Sequence, residues 1–324
     1  MNNNVLVITP VDHVDGLRDI LEKAGKVTYL DNPTVSEVQE NIYDVNAIYT
    51  NPNKSNVYLS DKLLNKANSL EVICTSSTGT THIDLEAAEE MDIDILSLKD
   101  EQELLEKIPS TAELAIGLMF AGIRNIPQCW DSVRDGNWDY DKFIGRQMDH
   151  LTVGIIGYGR LGSMFADFCR PYNCSILVYD PYVDVTEGWI HQVDNINVLF
   201  EESHVISLHV HVTNETEGLI NRSAFEKMRS DVVLVNTSRG EIVEEDALIS
   251  FLQENSDAFY ATDVISDEVK NKKQNTFRQW AISEGQDQTI ITPHVGGITK
   301  EATQVAWCHA AEQLLEYLGK TSHS

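Results

Sequence analysis

The stretch Leu151–Pro181, LTVGIIGYGRLGSMFADFCRPYNCSILVYDP, decides the fold of this chain. Its first apolar run, Val153–Ile156, leads directly into the glycine-rich segment GYGRLG at residues 157–162. A helix-like segment follows, and a second apolar run, Ile176–Tyr179, ends at Asp180. This order of strand, glycine turn, helix, strand and acidic residue, at this spacing, is typical of a βαβ unit that binds a dinucleotide.

Each glycine of this segment has a separate expected part. We expect Gly157 to make the tight turn, Gly159 to let the backbone approach a pyrophosphate, and Gly162 to let the helix pack closely on the strand. The pyrophosphate would lie at the helix N-terminus, where free N–H groups and the helix dipole favour an anion. Asp180 would accept hydrogen bonds from the adenosine ribose hydroxyls. An isolated GxGxxG segment is often an ordinary glycine turn, but the flanking strands and the acidic residue favour a cofactor site.

The residues after Asp180 indicate which dinucleotide binds. The segment Pro181–Glu187 contains two further acidic residues and neither Lys nor Arg. Asp180 would repel a phosphate on the ribose 2′-oxygen, and no cation in this segment would neutralise that phosphate. The sequence therefore predicts NAD rather than NADP as the cofactor.

Composition excludes several classes of partner. The 324 residues carry 51 acidic and 24 basic side chains, a formal net charge of -27, which disfavours nucleic acid and anionic membranes. No apolar run approaches the ~20 residues that a membrane helix needs, and no basic region precedes an apolar one at the N-terminus. The five scattered cysteines are typical of reduced thiols rather than of a disulfide framework or a zinc site. We therefore expect a cytoplasmic protein without a bound metal.

Two regions of alternating strand-like and helix-like segments predict two doubly wound α/β domains with parallel sheets. Strands are predicted at Val5–Thr9, Lys26–Leu30, Ala47–Thr50, Glu71–Thr75 and Ile93–Ser97, and then at Val153–Ile156, Ile176–Tyr179, Val205–Val210, Val232–Asn236, Phe259–Thr262 and Ile290–Thr292. The expected architecture is a Rossmann domain, residues 101–295, inserted in a flavodoxin-like domain, residues 1–100 plus 296–324. This second, discontinuous domain has no phosphate-cradling glycine motif of its own.

Helical segments complete this prediction. A helix from Pro109 to about Ile126 is apolar on nearly every side and must be buried, between domains or between subunits. The final helix, predicted over 300–318, is long enough to pack back onto the first domain. One face of that helix carries Ala302, Val305, Ala306, Ala310, Leu314 and Leu318. The polar stretch 271–287 is expected to be a loop, with Trp280 as a candidate anchor.

Three more segments follow predicted strands, at the end where open α/β sheets place their ligands. Arg239, in NTSRG, can hold a carboxylate by two parallel hydrogen bonds, although a strand-end arginine in a salt bridge is the commoner case. Asp263 and Glu268 lie in ATDVISDE, and His294 lies in TPHVGG. A histidine exchanges protons near neutral pH, and a carboxylate on its far ring nitrogen would stabilise the protonated form and fix the orientation of the ring.

Together these motifs resemble the D-isomer-specific 2-hydroxyacid dehydrogenase family, in the form of a short phosphoglycerate dehydrogenase-like chain without a regulatory domain. The resemblance extends from about Ile73 to Gly297. The motifs that carry it are GIIGYGRLG, VYDP, SLHVHVTNETEGLIN, LVNTSRGEIVEEDAL, ATDVISDE and TPHVGG.

The resemblance implies Arg239, Glu268 and His294 as the catalytic set of an NAD-dependent enzyme. Arg239 would bind the carboxylate of a 2-oxo acid and polarise its carbonyl, and protonated His294, paired with Glu268, would give its proton to the alkoxide. The implied cofactor residues are Gly157, Gly159, Arg160, Leu161, Gly162, Asp180, Pro181, His209, Val210, His211, Thr216, Thr237, Ser238, Asp263 (near the nicotinamide amide) and Gly296. The implied substrate-binding residues are Ser77, Thr78, Gly79, Lys54 and Arg239.

Some positions depart from the family pattern or leave its function open. His211 replaces a usual proline and adds a titratable group near the nicotinamide. Lys54 is the one residue of its loop that could neutralise a phosphorylated substrate, and it is equally compatible with a solvated lysine. The substrate could be 3-phosphoglycerate, glyoxylate or hydroxypyruvate, or a simple aliphatic 2-oxo acid.

Two other functions occur in this family, namely phosphite oxidation and NAD(H)-responsive dimeric adaptors in transcription. The resemblance also implies a homodimer formed through the cofactor domain. Its expected contact is the helix Thr111–Ile126 with the following segment Cys129–Trp138.

Overall fold

The computed structural model describes residues 3–52, 55, 57–268 and 273–321. These residues form two compact units. Unit 1 comprises Met1–Ile108 and Gly297–Ser324, and unit 2 comprises Pro109–Gly296. Unit 1 is therefore discontinuous in sequence.

Parallel strands and short helices alternate along the described chain. The strands are β1 (Asn3–Val7), β2 (Gly25–Tyr29), β3 (Ala47–Thr50), β4 (Val72–Thr75), β5 (Asp94–Leu96), β6 (Thr152–Ile156), β7 (Ser175–Tyr179), β8 (His191–Gln192), β9 (Val205–Leu208), β10 (Val233–Asn236), β11 (Phe259–Thr262) and β12 (Thr289–Ile291). The helices are α1 (Leu17–Leu21), α2 (Val35–Asn41), α3 (Asp61–Leu64), α4 (Leu85–Glu90), α5 (Gln102–Leu105), α6 (Ser110–Ile123), α7 (Ile126–Arg134), α8 (Arg160–Cys169), α9 (Ile196–Glu202), α10 (Arg222–Phe225), α11 (Glu245–Glu254), α12 (Thr276–Ser283) and α13 (Lys300–Thr321).

Unit 1 contains a five-stranded parallel sheet with the order β2-β1-β3-β4-β5. This is the flavodoxin-like order of doubly wound folds, as predicted. The final helix α13 packs against this unit, with Trp307, Ala310 and Leu314 in one hydrophobic cluster with Leu17 of α1. The expected apolar face of α13 is wrong at Val305, which is 40% exposed, because the side chain that enters the core in this turn is Trp307.

Unit 2 contains a seven-stranded parallel sheet with the order β12-β11-β10-β9-β6-β7-β8. The order reverses between β6 and β9, which is the switch point of a Rossmann sheet, where ligands bind outside the carboxyl ends of the strands. Successive residues of β6, such as Ile155 and Ile156, point to opposite faces of the sheet and enter two different hydrophobic clusters. Both faces of the sheet are therefore covered, and the prediction of two parallel α/β sheets is confirmed.

The apolar helix α6 is buried against the sheet of its own unit. A Cβ at Gly122 would lie 2.7 Å from a methyl of Val233 and 2.9 Å from the Phe259 ring, so only glycine allows this close approach. The prediction that this helix continues to Ile126 is wrong. It ends at Ile123 because Asn125 has a left-handed backbone (φ 51), and the separate helix α7 begins at Ile126.

Two further elements differ from the prediction. The described part of the stretch expected to be a loop contains α12, whose Phe277 and Ala281 are buried, and Trp280 packs beside them against the same cluster. The edge strand β8 was not predicted because two residues show no periodicity. None of the helices in the described part of the chain is both long enough and apolar enough to span a membrane.

Candidate active site

The glycine turn after β6 shows the tight turn expected at Gly157 and the close helix packing expected at Gly162, while the approach of a pyrophosphate at Gly159 stays a prediction. Gly157 has φ 90, and a Cβ there would lie 2.6 Å from the carbonyl oxygen of His209. A Cβ at Gly162 would lie 2.0 Å from the carbonyl oxygen of Gly157, so α8 packs directly on the turn. Gly159 is the N-cap of α8, without a side-chain cap, and a Cβ there would meet nothing within 4 Å. The first N–H groups of α8, from Arg160 and Leu161 onward, therefore begin at an open surface.

Asp180 links the glycine turn to the loop after β7. Its Oδ2 accepts a hydrogen bond from the backbone N–H of Tyr158 at 2.7 Å. Its Oδ1 accepts from the N–H groups of Tyr182 at 2.8 Å and Val183 at 3.2 Å, across Pro181. A carboxylate has about four lone-pair sites, so Asp180 fixes the turn and retains capacity for a ribose hydroxyl.

The predicted cofactor segment after β9 packs on the other side of the turn. His209 shares a hydrogen bond between its Nε2 and the Ser207 hydroxyl at 2.8 Å, and its ring packs against Phe165. Burial lowers the pKa of His209 to about 3, so this histidine is neutral. Val210 lies against Gly157, and the Thr216 hydroxyl donates to the His211 carbonyl at 2.5 Å, which closes the loop on itself.

The turn after β10 presents Arg239. Asn236 accepts a hydrogen bond from the N–H of Ser238 at 3.0 Å and donates to the carbonyl of Arg239 at 2.9 Å. The Ser238 hydroxyl donates to the Leu208 carbonyl at 2.7 Å, which ties this turn to β9. The guanidinium donates to the Ser238 carbonyl at 2.7 Å, and it forms no ion pair with a carboxylate of the described part of unit 2. The salt-bridge alternative for Arg239 is therefore not supported within its own unit.

Gly240 brings the loop after β11 against the arginine turn. A Cβ at Gly240 would lie 2.0 Å from the carbonyl carbon of Ile265, so any other residue would push this loop away. Glu245 stabilises this loop, because its carboxylate accepts hydrogen bonds from the N–H of Ser266 at 2.8 Å and from the side-chain amide of Asn275 at 2.7 Å. Burial raises the pKa of Glu245. This bracing fixes the position from which Glu268 projects.

His294 and Glu268 form a direct pair. Nδ1 of His294 lies 2.8 Å and 3.0 Å from the two carboxylate oxygens of Glu268, and both side chains are about one-quarter exposed. His294 has a left-handed backbone (φ 55) and donates its N–H to the Asp263 carbonyl at 2.9 Å. The structure therefore brings together the histidine and the carboxylate that the resemblance implied, although 26 residues separate them.

Asp263 organises the turn that carries the histidine. Its Oδ1 accepts from the Thr292 hydroxyl at 2.5 Å and the Val295 N–H at 2.8 Å, and its Oδ2 accepts from the Gly296 N–H at 2.7 Å. Burial raises the pKa of Asp263, and these hydrogen bonds oppose the rise. Asp263 thus positions the turn that carries His294, and its contact with the nicotinamide stays a prediction.

Two buried polar atoms of the predicted cofactor residues fit a dinucleotide. The Thr237 hydroxyl and Nδ1 of His209 are buried, and neither has a hydrogen-bond partner among the described residues. Both lie after strands at or next to the switch point, beside the glycine turn. Unpaired buried polar groups are rare, and a ligand is one of the ways in which they are satisfied.

The predicted substrate loop lies in unit 1, after β4. The Ser77 hydroxyl donates to the Gly79 carbonyl at 2.7 Å and shares a hydrogen bond with Thr75, so the loop forms a tight turn. The N–H groups of Ser77, Thr78 and Gly79 donate no hydrogen bond to a residue that the structure describes. Successive free N–H groups of this kind can bind an anion. Lys54, the other predicted substrate residue of this unit, lies outside the described residues.

Sequence reasoning missed the residues that support the site. Asn236 and Thr292 position Arg239 and His294 through hydrogen bonds, and Glu245 and Asn275 hold the loop of Glu268. The polar side chain of Asn236 at the end of a buried apolar strand was a usable signal. The pairing of Glu245 with Asn275 had none, since it depends on how two distant segments meet.

Comparison with known proteins identifies the family to which this chain is similar. Residues 116–296 match the family model described as D-isomer specific 2-hydroxyacid dehydrogenase, NAD binding domain. The chain is 33% identical over 317 residues to D-3-phosphoglycerate dehydrogenase of Methanocaldococcus jannaschii, covering 97% of this chain and 57% of that protein. It is 31% identical over 262 residues to hydroxypyruvate reductase of Thermotoga maritima, covering 79% and 80% of the two chains.

A solved structure extends the likeness over both units. D-Lactate dehydrogenase of Aquifex aeolicus, complexed with NAD and lactic acid, has a TM-score of 0.83 and 26% identity, covering 98% of this chain and 96% of that one. The chain spans about half of the length of the curated phosphoglycerate dehydrogenases that it matches. The match to the NAD binding domain and the identity to these relatives show that the chain belongs to the D-isomer specific 2-hydroxyacid dehydrogenase family.

Proposed function

We propose that this chain is an NAD-dependent dehydrogenase that interconverts a small D-2-hydroxy acid and the corresponding 2-oxo acid. The observation that carries the proposal is the His294–Glu268 pair, together with a neighbouring Arg239 that has no carboxylate partner in the described part of unit 2. These side chains follow β12, β11 and β10, which are adjacent strands of one sheet. An acid–base pair together with a guanidinium that has no carboxylate partner in the described part of its unit suits a substrate that has both a carboxylate and a carbonyl.

The roles follow from the atoms that are already engaged. Nδ1 of His294 faces Glu268, so Nε2 is the nitrogen left to exchange a proton with substrate. Glu268 orients the ring and stabilises its protonated form. Arg239 binds the substrate carboxylate and polarises the carbonyl, and the free N–H groups at Ser77–Gly79 are a second candidate for the carboxylate. NADH, when bound, supplies the hydride for the keto carbon, and NAD accepts it in the reverse direction.

The chain's large negative charge makes local positive charge necessary at this site. A 2-oxo acid is an anion, and the net charge of -27 opposes its approach. Among the three proposed catalytic side chains, Arg239 carries the permanent positive charge that can offset this field. The relatives' names, phosphoglycerate dehydrogenase, hydroxypyruvate reductase and lactate dehydrogenase, support a 2-oxo acid substrate without deciding its side chain.

The experiment that tests the proposal is a panel of 2-oxo acids assayed by NADH oxidation. We expect turnover with at least one of phosphohydroxypyruvate, hydroxypyruvate, glyoxylate and pyruvate. We also expect NADH to be used at least tenfold more efficiently than NADPH, because Asp180 carries a negative charge at the ribose. Rates no higher than those of a His294→Ala variant across the panel would overturn the proposal.

We also propose a homodimer in which the segment after α6 forms the contact. Trp138 and Tyr140 are 91% and 82% exposed, and Ile126, Trp130 and Ile144 are also exposed. Large apolar side chains exposed together typically mark an interaction surface. Sedimentation should give a dimer at micromolar concentration, and a Trp138→Ser, Tyr140→Ser variant should weaken it. Tyr43→Ser in unit 1 removes a similarly exposed aromatic ring and serves as the control. A stable wild-type monomer would remove this claim.

A further inference from the structure

Tyr182 and Glu215 come from two loops on opposite sides of the glycine turn. Tyr182 follows β7 and Glu215 follows β9, and β6, which leads into the turn, lies between these two strands. The Tyr182 hydroxyl donates a hydrogen bond to the carboxylate of Glu215. Because neighbouring strands are ~4.8 Å apart, the contact bridges about 9.6 Å of the sheet edge. It therefore passes across the line of the glycine turn.

The bases of both loops touch the turn itself. The carbonyl oxygen of His209 lies 2.6 Å from the position of a Cβ on Gly157. On the other side, Asp180 accepts the N–H of Tyr158 at 2.7 Å. The Tyr182–Glu215 contact thus links the two loops that flank the turn. We call the region between this contact and the turn the groove, and the carboxylates of Asp180 and Glu215 its rim.

The charge of this rim is of one sign. Oδ1 of Asp180 accepts a hydrogen bond from the backbone N–H of Tyr182 at 2.8 Å, and the hydroxyl of the same tyrosine donates to Glu215. Tyr182 therefore contacts both carboxylates. Its phenol pKa is raised, mainly by Glu215 and to a smaller extent by Asp180. The segments 181–192 and 209–218, which flank the turn, contain neither Lys nor Arg.

We propose that Glu215, held in place by Tyr182, is a second specificity-determining carboxylate that excludes a 2′-phosphorylated cofactor. This inference rests on the proposed binding of NAD, in which Asp180 meets the ribose hydroxyls. A phosphate on the 2′-oxygen would carry nearly two negative charges past Asp180 toward Glu215, and no cation of the two flanking segments would neutralise it. Arg160, the cation of the turn itself, is the first residue of α8 and lies at the helix end where the pyrophosphate is expected. Removal of Asp180 alone therefore leaves the groove hostile to that phosphate.

The test measures binding of two fragments, adenosine 2′,5′-bisphosphate and adenosine 5′-monophosphate, by calorimetry on the full chain. In an Asp180→Ser background, Glu215→Gln should tighten the bisphosphate by about fivefold, since one nearby charge is removed at constant shape. The monophosphate affinity should change less than twofold. Tyr182→Phe in the same background should tighten the bisphosphate about twofold, because the carboxylate is no longer held at the groove.

The matched control is Glu217→Gln in the same background. Glu217 lies two residues further along the same loop, beside Gly218, Glu241 and Glu244, and its removal changes the net charge equally. An equal gain with Glu217→Gln would mean that only the overall charge matters, and it would overturn the proposal. So would no gain with Glu215→Gln. Wild-type protein that binds neither NADH nor the monophosphate would instead overturn the proposed function, which separates the two failures.

Discussion

Units 1 and 2 differ in the chemistry of the loops that follow their strands, although both sheets are parallel and doubly wound. In unit 2, β10, β11 and β12 lead into Arg239, Glu268 and His294, and all three side chains are half-buried. In unit 1, β3 and β4 end in Thr50 and Thr75, whose side chains are fully buried. The strand ends themselves are alike, since β10 and β11 of unit 2 also end in buried neutral residues, Asn236 and Thr262. The titratable groups of unit 2 therefore lie in the loops beyond its strand ends.

The functional side chains of unit 2 therefore lie in the loops after its strands and not in the sheet itself. Charged groups must keep some contact with solvent or a partner, because complete burial of an unpaired charge is costly. Loop substitutions in unit 2 should therefore change catalysis at little cost in stability. Substitution of buried polar groups in either unit should have the opposite effect.

The largest expected effect is that of His294→Ala. Loss of a positioned acid typically lowers kcat by about 10²–10⁴-fold, and NADH affinity should stay within twofold because the glycine turn is on a different strand. Stopped-flow binding and steady-state rates measure the two quantities separately. The exposed His150→Ala variant is the control and should retain full activity. A kcat within tenfold of wild type would contradict the role of His294 and the contrast between the units.

A second large effect is expected for Arg239→Lys. Lysine keeps the charge but cannot form two parallel hydrogen bonds to a carboxylate, so kcat/KM for the 2-oxo acid should fall about 100-fold. The KM should carry much of this loss. Arg229→Lys alters an ion pair with Asp231 that is about one-third exposed and should change kcat/KM less than twofold. Equal losses in the two variants would show that the loss at Arg239 is not specific to the proposed site.

The glycine turn gives an intermediate effect that separates binding from folding. Gly159→Ala places its methyl in open space, so the melting temperature should hold while the Kd for NADH rises about tenfold or more. Gly162→Ala forces a Cβ to within 2.0 Å of the Gly157 carbonyl oxygen, and it should lower the melting temperature itself. Gly188→Ala also meets open space and is the control for Gly159. Unchanged NADH affinity in Gly159→Ala would contradict the proposal that the cofactor binds at this turn.

The smallest expected effect at neutral pH tests a feature that the units share, which is a histidine with a buried ring nitrogen in each. Burial lowers the pKa of His82 in unit 1 to about 4 and that of His209 in unit 2 to about 3. The unfolded chain binds these protons below about pH 6.5, while the folded chain does not. These histidines therefore do not change the free energy of unfolding above that pH. As the pH falls toward 4, protonation favours the unfolded chain and the free energy of unfolding decreases. The loss is about 1.4 kcal/mol per pH unit for each histidine.

Urea unfolding between pH 4.5 and 7 measures this slope. His82→Asn and His209→Asn should each remove close to one proton from the pH dependence of the free energy of unfolding. His150→Asn, at an exposed position, should leave it unchanged. If the slope survives in both buried-site variants, the acid sensitivity has another origin.

Local patterns predicted much of the fold because they depend on neighbouring residues. The apolar runs predicted every strand except β8, and the switch to helical spacing predicted α13. The break between α6 and α7 was missed because Asn125 can adopt either a helical or a left-handed backbone, and only its surroundings select one. The sequence predicts a loop over the stretch with α12 because most of its residues are polar, and the two that are buried, Phe277 and Ala281, are too few to form a clear helical pattern.

The candidate site was predictable only as a set of residues. Its motifs identify Arg239, Glu268 and His294 as the groups with suitable chemistry, and the resemblance to the family joins them in one site. The 2.8 Å approach of His294 to Glu268 depends on the left-handed backbone at residue 294 and on the loop held by Glu245. Neither has a signal in the sequence near the histidine.

The βαβ unit of Leu151–Pro181 and the family follow from the sequence alone, and the sequence also predicts a preference for an unphosphorylated ribose, because spacing, turn chemistry and residue charge act locally. Only the tertiary structure decided that Asp180 brackets the glycine turn, that Arg239 lacks an ion pair within the described part of its unit, and that Tyr182 reaches Glu215. Those contacts join loops that are distant along the chain. The order of strands in the sheet sets which of these loops become neighbours, and that order emerges only when the whole unit packs.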